Sequence, residues 1–232
     1  MCNIVAIILG RGGSKGIPSK NIIDFCGKPL ITWTIEQCLS SKHINDVWVS
    51  SDSQEILDIA KKYGAKTIQR PDDLSGDFAS SESAWLHAID YIKQEHHIDL
   101  VFAAQATSPL RETKDIDNAI ELFQTERYDS MFSSSIVEDL FFWQKNKNNE
   151  LQSVNYDYLN RQRRQNIQEQ IIENGSFYIF KPQTLKKFNN RLGGKIEISL
   201  MEFWKSFEID SFEDFELCET LMKHYILRNK HD

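Results

Sequence analysis

Apolar residues in this chain come in short runs separated by amphipathic stretches. The first run, Ile4-Val5-Ala6-Ile7-Ile8-Leu9, contains no polar residue and is closed by Gly10. A short β-branched run of this kind reads as a strand buried on both faces. Residues 29–40 then place Leu30, Trp33, Thr34 and Cys38 at roughly helical spacing behind Pro29, which suits a helix start. Val47-Trp48-Val49-Ser50 is a second strand. Its tip, Ser50-Ser51-Asp52-Ser53, suits the cap of a helix over 54–63, and Gly64 suits its end. A third strand, 66–69, leads into Arg70-Pro71.

The rhythm continues downstream. Residues 71–80 are a polar loop, and Ser80-Ser81-Glu82-Ser83 opens a helix to about Glu95. Leu100–Ala104 reads as a buried strand, followed by Gln105–Arg111, a helix to about Thr125, and a strand at Ser130–Ser134. Alternating strands and helices predict an α/β fold, Rossmann-like, with a mostly parallel sheet flanked by helices. Residues 135–172 break the pattern with a long polar stretch that includes Phe141-Phe142-Trp143. A structureless loop of that length is out of place in a compact domain, so a β-hairpin arm is expected there. Strands at Glu173–Phe180 and Ile196–Leu200 and a helix from 212 to about 228 complete a single domain, 1–232, with the arm inserted at 135–172.

Composition narrows the function. A formal net charge of −7 argues against non-specific nucleic-acid binding. No apolar run approaches the length of a membrane span, and Met1 leads almost directly into the first strand, so a soluble cytoplasmic protein is expected. Cys2, Cys26, Cys38 and Cys218 lack the spacing of a zinc site or a disulfide framework.

Against that acidic background the loop after the first strand stands out. Gly10, Gly12, Gly13 and Gly16 alternate with Arg11, Ser14, Lys15 and Lys20. Glycines let backbone N–H groups approach a ligand, and the three cations add positive charge, a combination that suits a polyphosphate. The spacing is neither that of a P-loop nor that of a dinucleotide fingerprint. In open α/β sheets ligands bind at the carboxyl ends of strands, where the glycine loop, Ser50–Asp52 and Arg70 all lie. Gln105 is also at a strand end, and its amide is able both to donate to and accept from a nucleobase edge.

The stretch GRGGSKGIPSKN at 10–21 resembles the N-terminal signature of the acylneuraminate cytidylyltransferases, usually ARGGSKGIPxKN. Gln105–Arg111 is similar to that family's QPTSPLR, with Ala106 in place of proline. Glu173–Phe180 is similar to ENGAIYIF, Arg163-Arg164-Gln165 to the Arg-Arg-Gln before it, and Phe207–Phe215 to IDIDTPEDF. The motifs occur in the family's order over nearly the whole chain. The departures are Leu9-Gly10, where the family has Pro-Ala, Ala106, and Glu208 in place of an aspartate.

The resemblance implies a sheet of the nucleotidyltransferase type. It also implies that CTP and a nonulosonic (sialic-type) acid give a CMP-sugar and pyrophosphate, by in-line attack of the C2 hydroxyl on the α-phosphate. By that resemblance Arg11 and Lys20, with Gly12, Gly13, Ser14 and Lys15, hold the triphosphate. Asn21 and Gln105 serve the nucleotide and the sugar, while Arg70 and one of Ser80 and Ser81 serve the ribose and base. Arg164 and Asn174 lie near the sugar acid, where a guanidinium fork suits its carboxylate. Asp210, with Glu208, is the expected Mg²⁺ ligand, and Asp210 also suits a helix N-cap beside Ser211. A homodimer is implied, the arm reaching over the partner's site. Residues 139–143 carry no cation, which points to a less hydroxylated legionaminic- or pseudaminic-type acid. Other readings are a nucleotidyltransferase for another sugar such as Kdo, and a nucleotide-binding module without catalysis.

Overall fold

The computed structural model describes residues 2–14, 16–76 and 79–228, with the Arg164 side chain outside the described set. The strands are β1 (Ile4–Leu9), β2 (Asp24–Phe25), β3 (Lys28–Pro29), β4 (Asp46–Ser51), β5 (Lys66–Gln69), β6 (Leu100–Gln105), β7 (Ser130–Val137), β8 (Trp143–Lys145), β9 (Leu151–Ser153), β10 (Gln170–Phe180) and β11 (Ile196–Leu200). The helices are α1 (Leu30–Leu39), α2 (Gln54–Lys62), α3 (Ser81–Ile92), α4 (Thr113–Thr125), α5 (Pro182–Phe188) and α6 (Phe212–Leu221), the last running on into a π-helical turn, Met222–Leu227.

A seven-stranded sheet has the order β11-β7-β10-β6-β1-β4-β5. All its pairings are parallel except those of β10, which runs antiparallel to β6 and β7. The apolar run of β1 explains its central place. Ile4, Ala6 and Ile8 pack among residues of α1, α2 and α4, while Val5 and Ile7 pack on the other face with Trp85, Ala88 and Ile89 of α3. With both faces covered, no position in the strand tolerates a polar residue. A third cluster joins Ile17, Phe25, Leu30 and Ile209 to Cys218 and Met222, so the C-terminal helix packs beside the glycine loop. Gly64 ends α2 at φ +91°, the left-handed conformation expected of a C′ glycine.

β7 and β10 run further into the break in the α/β rhythm than the apolar pattern indicates. Val137 pairs with Gln170, Ile136 with Ile171 and Ser135 with Ile172. The serines of β7 read as polar in sequence but are buried, because Ser134 and Ser135 donate to Ser199 O in the neighbouring edge strand β11 and to Met201 O just past it. Past Val137 the hairpin β8–β9 forms, closed by a turn with Asn149 at φ +63°. Its aromatic residues pack on one another: Phe141 lies 4.5 Å from Tyr156, and Trp143 lies 5.1 Å from Tyr158, between ring centroids. Between Glu173 and Tyr178 the β7–β10 register shifts, which leaves a bulge with Gly175 at φ +68°.

Candidate active site

Loops leaving β1, β5 and β6 enclose a cavity of about 470 Å³ at the carboxyl ends of the parallel strands. The glycine loop is held from below. Gly10 N–H donates to Ser50 O at 3.0 Å, and Gly12 N–H donates to Asp52 Oδ1 at 3.0 Å. Buried Asn21 donates from Nδ2 to Arg11 O at 3.0 Å. Arg70, 4% exposed, donates from Nη2 to Gly10 O at 3.1 Å and from Nε to Ser75 Oγ at 2.9 Å. Burial draws its pKa down, Asp52 at 3.8 Å opposes this, and the Arg11 charge adds to the lowering. Much of the Arg70 fork is therefore spent on stiffening the loop.

The opposite wall comes from the far end of the chain. Lys20 Nζ donates to Ile209 O at 2.8 Å and to Asp210 Oδ1 at 2.7 Å. Ile209 N–H donates in turn to Thr107 O at 2.8 Å, in the loop after β6. Ser211, not Asp210, caps α6: its Oγ accepts from Asp214 N–H, and the Asp214 carboxylate accepts from Ser211 N–H. The capping alternative for Asp210 is thereby removed, and its carboxylate, 67% exposed, turns to Lys20.

Glu208 is exposed by surface area, yet its Oε2 lies 3.6 Å from the point where a Cβ on Gly175 would stand. Desolvation against this bulge, and then the Asp210 charge, push its carboxyl pKa up, with Lys20 opposing. The Asp210 charge lies near enough to raise the Glu208 pKa, and the two carboxylates make a hard oxygen donor set that fits Mg²⁺. Among the described residues no group of three or more His, Cys, Asp or Glu side chains is placed to hold a metal. An ion here would draw its other ligands from water and substrate oxygens, as Mg²⁺ commonly does.

The segment that delivers Glu208 and Asp210 is anchored by Lys205. Its fully buried Nζ lies 2.8 Å from Asp115, 2.9 Å from Glu112 and 2.8 Å from Glu202. Burial alone would lower its pKa, but the three carboxylates more than offset that and raise it. Lys205→Met is expected to destabilise the fold by about 3–5 kcal/mol, because it leaves buried Asp115 unpaired. Denaturant titration checks this, and an unchanged midpoint would reject it.

Arg11, Ser14, Lys20, Asn21 and Arg70 line the cavity, together with Ser80, Ser81, Gln105 and Asp210. Ser80 has a second task, because its Oγ caps α3 by accepting from Ser83 N–H at 3.1 Å, while Ser81 is the first residue of that helix. Gly12 and Gly13 shape the loop without belonging to the lining. Lys15 lies outside the described residues, as does the side chain of Arg164. Asn174 is not part of the lining. It is buried in the β10 bulge, where its Oδ1 accepts from Ser176 N–H at 3.2 Å. Asp52 belongs to the framework and Thr107 lines the cavity, and neither is among the residues the sequence assigns to a ligand. Asp52 was visible as a polar strand tip, but its contact to Gly12 requires β1 and β4 to be neighbours.

A larger cleft of about 560 Å³ lies in the arm, where Arg161 sits alongside Asp157 and Glu169. It lacks the glycine loop and its cations, so the smaller cavity is the candidate site. The arm corrects one expectation. Residues 139–143 carry no cation in sequence, but the fold sets the Arg161 guanidinium 4.6 Å from the centre of the Phe141 ring. The wall at Phe141 is therefore not free of cations.

The family model described as Cytidylyltransferase matches residues 5–232. N-acylneuraminate cytidylyltransferase A of Danio rerio is 37% identical over 221 residues, which cover 94% of this chain and 50% of that protein. The chain thus spans about half the length of that relative. Pseudaminic acid cytidylyltransferase of Campylobacter jejuni is 32% identical over 225 residues, covering 94% of this chain and 96% of that protein. Among solved structures, a CMP:2-keto-3-deoxy-manno-octonic acid synthetase complexed with CTP superposes with a TM-score of 0.73 at 15% identity, over 97% of this chain and 100% of that one. At that identity the likeness speaks to the fold.

Proposed function

The chain belongs to the cytidylyltransferase family, and on that premise we propose that it transfers the CMP group of CTP to the C2 hydroxyl of a nonulosonic acid. The observation behind this reading is the Lys20–Asp210 pair, which sets a cation of the glycine loop against a metal-type carboxylate from the other end of the chain. Arg11, Lys20 and the loop N–H groups bind the triphosphate. Gln105, Arg70 and the Ser80-Ser81 pair orient ribose and base, Arg164 serves the sugar acid, and Asn174 acts from behind by holding the β10 bulge. As the C2–O–Pα bond forms, the bond from Pα to the β-phosphate oxygen breaks. Pyrophosphate leaves and the hydroxyl proton passes to solvent. Mg²⁺ held by Asp210 and Glu208 would offset the repulsion between phosphate and sugar carboxylate and lower the pKa of the attacking hydroxyl. Positioning and charge stabilisation supply most of the catalysis in phosphoryl chemistry of this kind.

The protein would act as a homodimer through the arm, where Leu151 and Leu159 are 67% and 82% exposed. Sedimentation velocity tests this, and a monomer at working concentration would reject it. The free cysteines suit a reducing compartment, and a cytoplasmic location is part of the proposal. Among the described residues no helix is long and apolar enough to cross a membrane. Pyrophosphate release from CTP and Mg²⁺ across sialic, legionaminic, pseudaminic and Kdo acids tests the reaction. Turnover with a nonulosonic acid that chelation of the metal abolishes is expected. Preference for Kdo would move the reading to another sugar, and silence with CTP still bound would favour a module without catalysis.

A further inference from the structure

Arg111 lies behind the cavity wall, between β6 and α4, with no exposed surface. Its Nη1 donates to Ser108 O at 3.0 Å, Ser176 O at 2.9 Å and Ser176 Oγ at 3.1 Å. Its Nη2 donates to Thr34 Oγ1 at 2.6 Å and Gln105 O at 3.0 Å. Every one of these acceptors is a neutral oxygen. A buried guanidinium held by neutral acceptors is a costly way to fill a core, and burial pulls its pKa down to about 10.

The acceptors on Gln105 and Ser108 lie in or beside the cavity wall after β6, and those on Ser176 lie in the β10 bulge behind Glu208. Gln105 and Thr107 line the cavity, and Thr107 O also receives Ile209 N–H, next to Asp210. Ser176 closes the β10 bulge whose Gly175 backs Glu208. We propose that Arg111 is a positioning residue that locks the Gln105–Ser108 loop to the β10 bulge. It thereby sets the distance between the nucleotide side of the site and the Glu208–Asp210 carboxylates. A planar fork reaches acceptors on both walls at once, whereas the donors of a lysine radiate from one atom. The inference rests on the cytidylyltransferase reading above.

The test compares wild type with Arg111→Lys and Arg111→Met, after circular dichroism and melting have shown which variants fold. CTP affinity is measured by calorimetry without acid, and kcat and KM by pyrophosphate release. In a folded variant kcat is expected to fall by about tenfold to a hundredfold, with a smaller rise in the KM for CTP. A residue that only stabilises the core would lower the melting temperature and leave kcat and KM as they are, and that result overturns the proposal. If neither variant folds, the double variant Thr34→Val with Ser176→Ala decides. It removes the two hydroxyl acceptors and keeps the arginine with its bonds to Ser108 O, Ser176 O and Gln105 O, so a partial fall in kcat is expected, and an unchanged kcat again overturns the proposal. Wild-type silence with every acid counts against the functional reading alone. The CTP affinity of the variants then decides, with weaker binding expected and unchanged binding overturning.

Discussion

Asp210→Asn is expected to lower turnover by about a thousandfold while the protein stays folded, because a carboxylate ligand to a catalytic metal is worth several kcal/mol of barrier. The substitution keeps the shape of the side chain and removes its charge. Its contact to Lys20 is an ion pair whose carboxylate is 67% exposed, and such pairs contribute only about 0–1 kcal/mol to stability. The α6 cap belongs to Ser211 and Asp214, so the helix start is untouched. Pyrophosphate release at saturating Mg²⁺ gives the first readout and thermal melting the second. Turnover near wild type would remove Asp210 from the chemistry. A collapse of the melting temperature would instead assign it to the fold.

Gly16→Ala is expected to cost about a hundredfold in kcat/KM, the scale of an ångström-sized misplacement of reacting groups. A Cβ at Gly16 would stand 2.1 Å from the backbone oxygen of Asp210, and no flexible side chain end is there to yield. The Asp210 side is stitched down by Ile209 N–H to Thr107 O and by the Asp214 cap, so the glycine loop is the part that must move. That movement parts Lys20 from Asp210. Gly13→Ala is the comparison within the same loop, because nothing lies within 4 Å of its added Cβ and the backbone N–H assigned to the triphosphate is kept. Equal activity of the two variants would show that the close approach at Gly16 does not matter to turnover.

The glycine loop was legible because its chemistry is local. Glycines, cations and the apolar run before them lie side by side in the chain, and a strand buried on both faces carries an unmistakable pattern. The cap at Ser80 was legible for the same reason, bonding to a residue three positions on, whereas the α6 cap fell one residue later than the sequence suggested, on Ser211 instead of Asp210. The long β7–β10 pairing was hidden because serines in β7 find their hydrogen-bond partners more than sixty residues away. Arg70 read as a ligand cation, but in the fold much of its hydrogen bonding goes to the loop backbone and Ser75. Arg161 was hidden from the wall of Phe141 because the arm folds back on itself.

Residue order along the chain carries the α/β class and marks the glycine loop as a phosphate candidate, since each depends on neighbours within a few positions, and the family resemblance marks Asp210 as a candidate ligand. Folding alone settles that Lys20 meets Asp210 across 190 residues, that Asp52 carries the loop, and which partners the buried Arg111 and Lys205 find. The reason is energetic. Burying a charge demands partners, and for these side chains those partners come from distant strands and loops that become neighbours only when the sheet assembles.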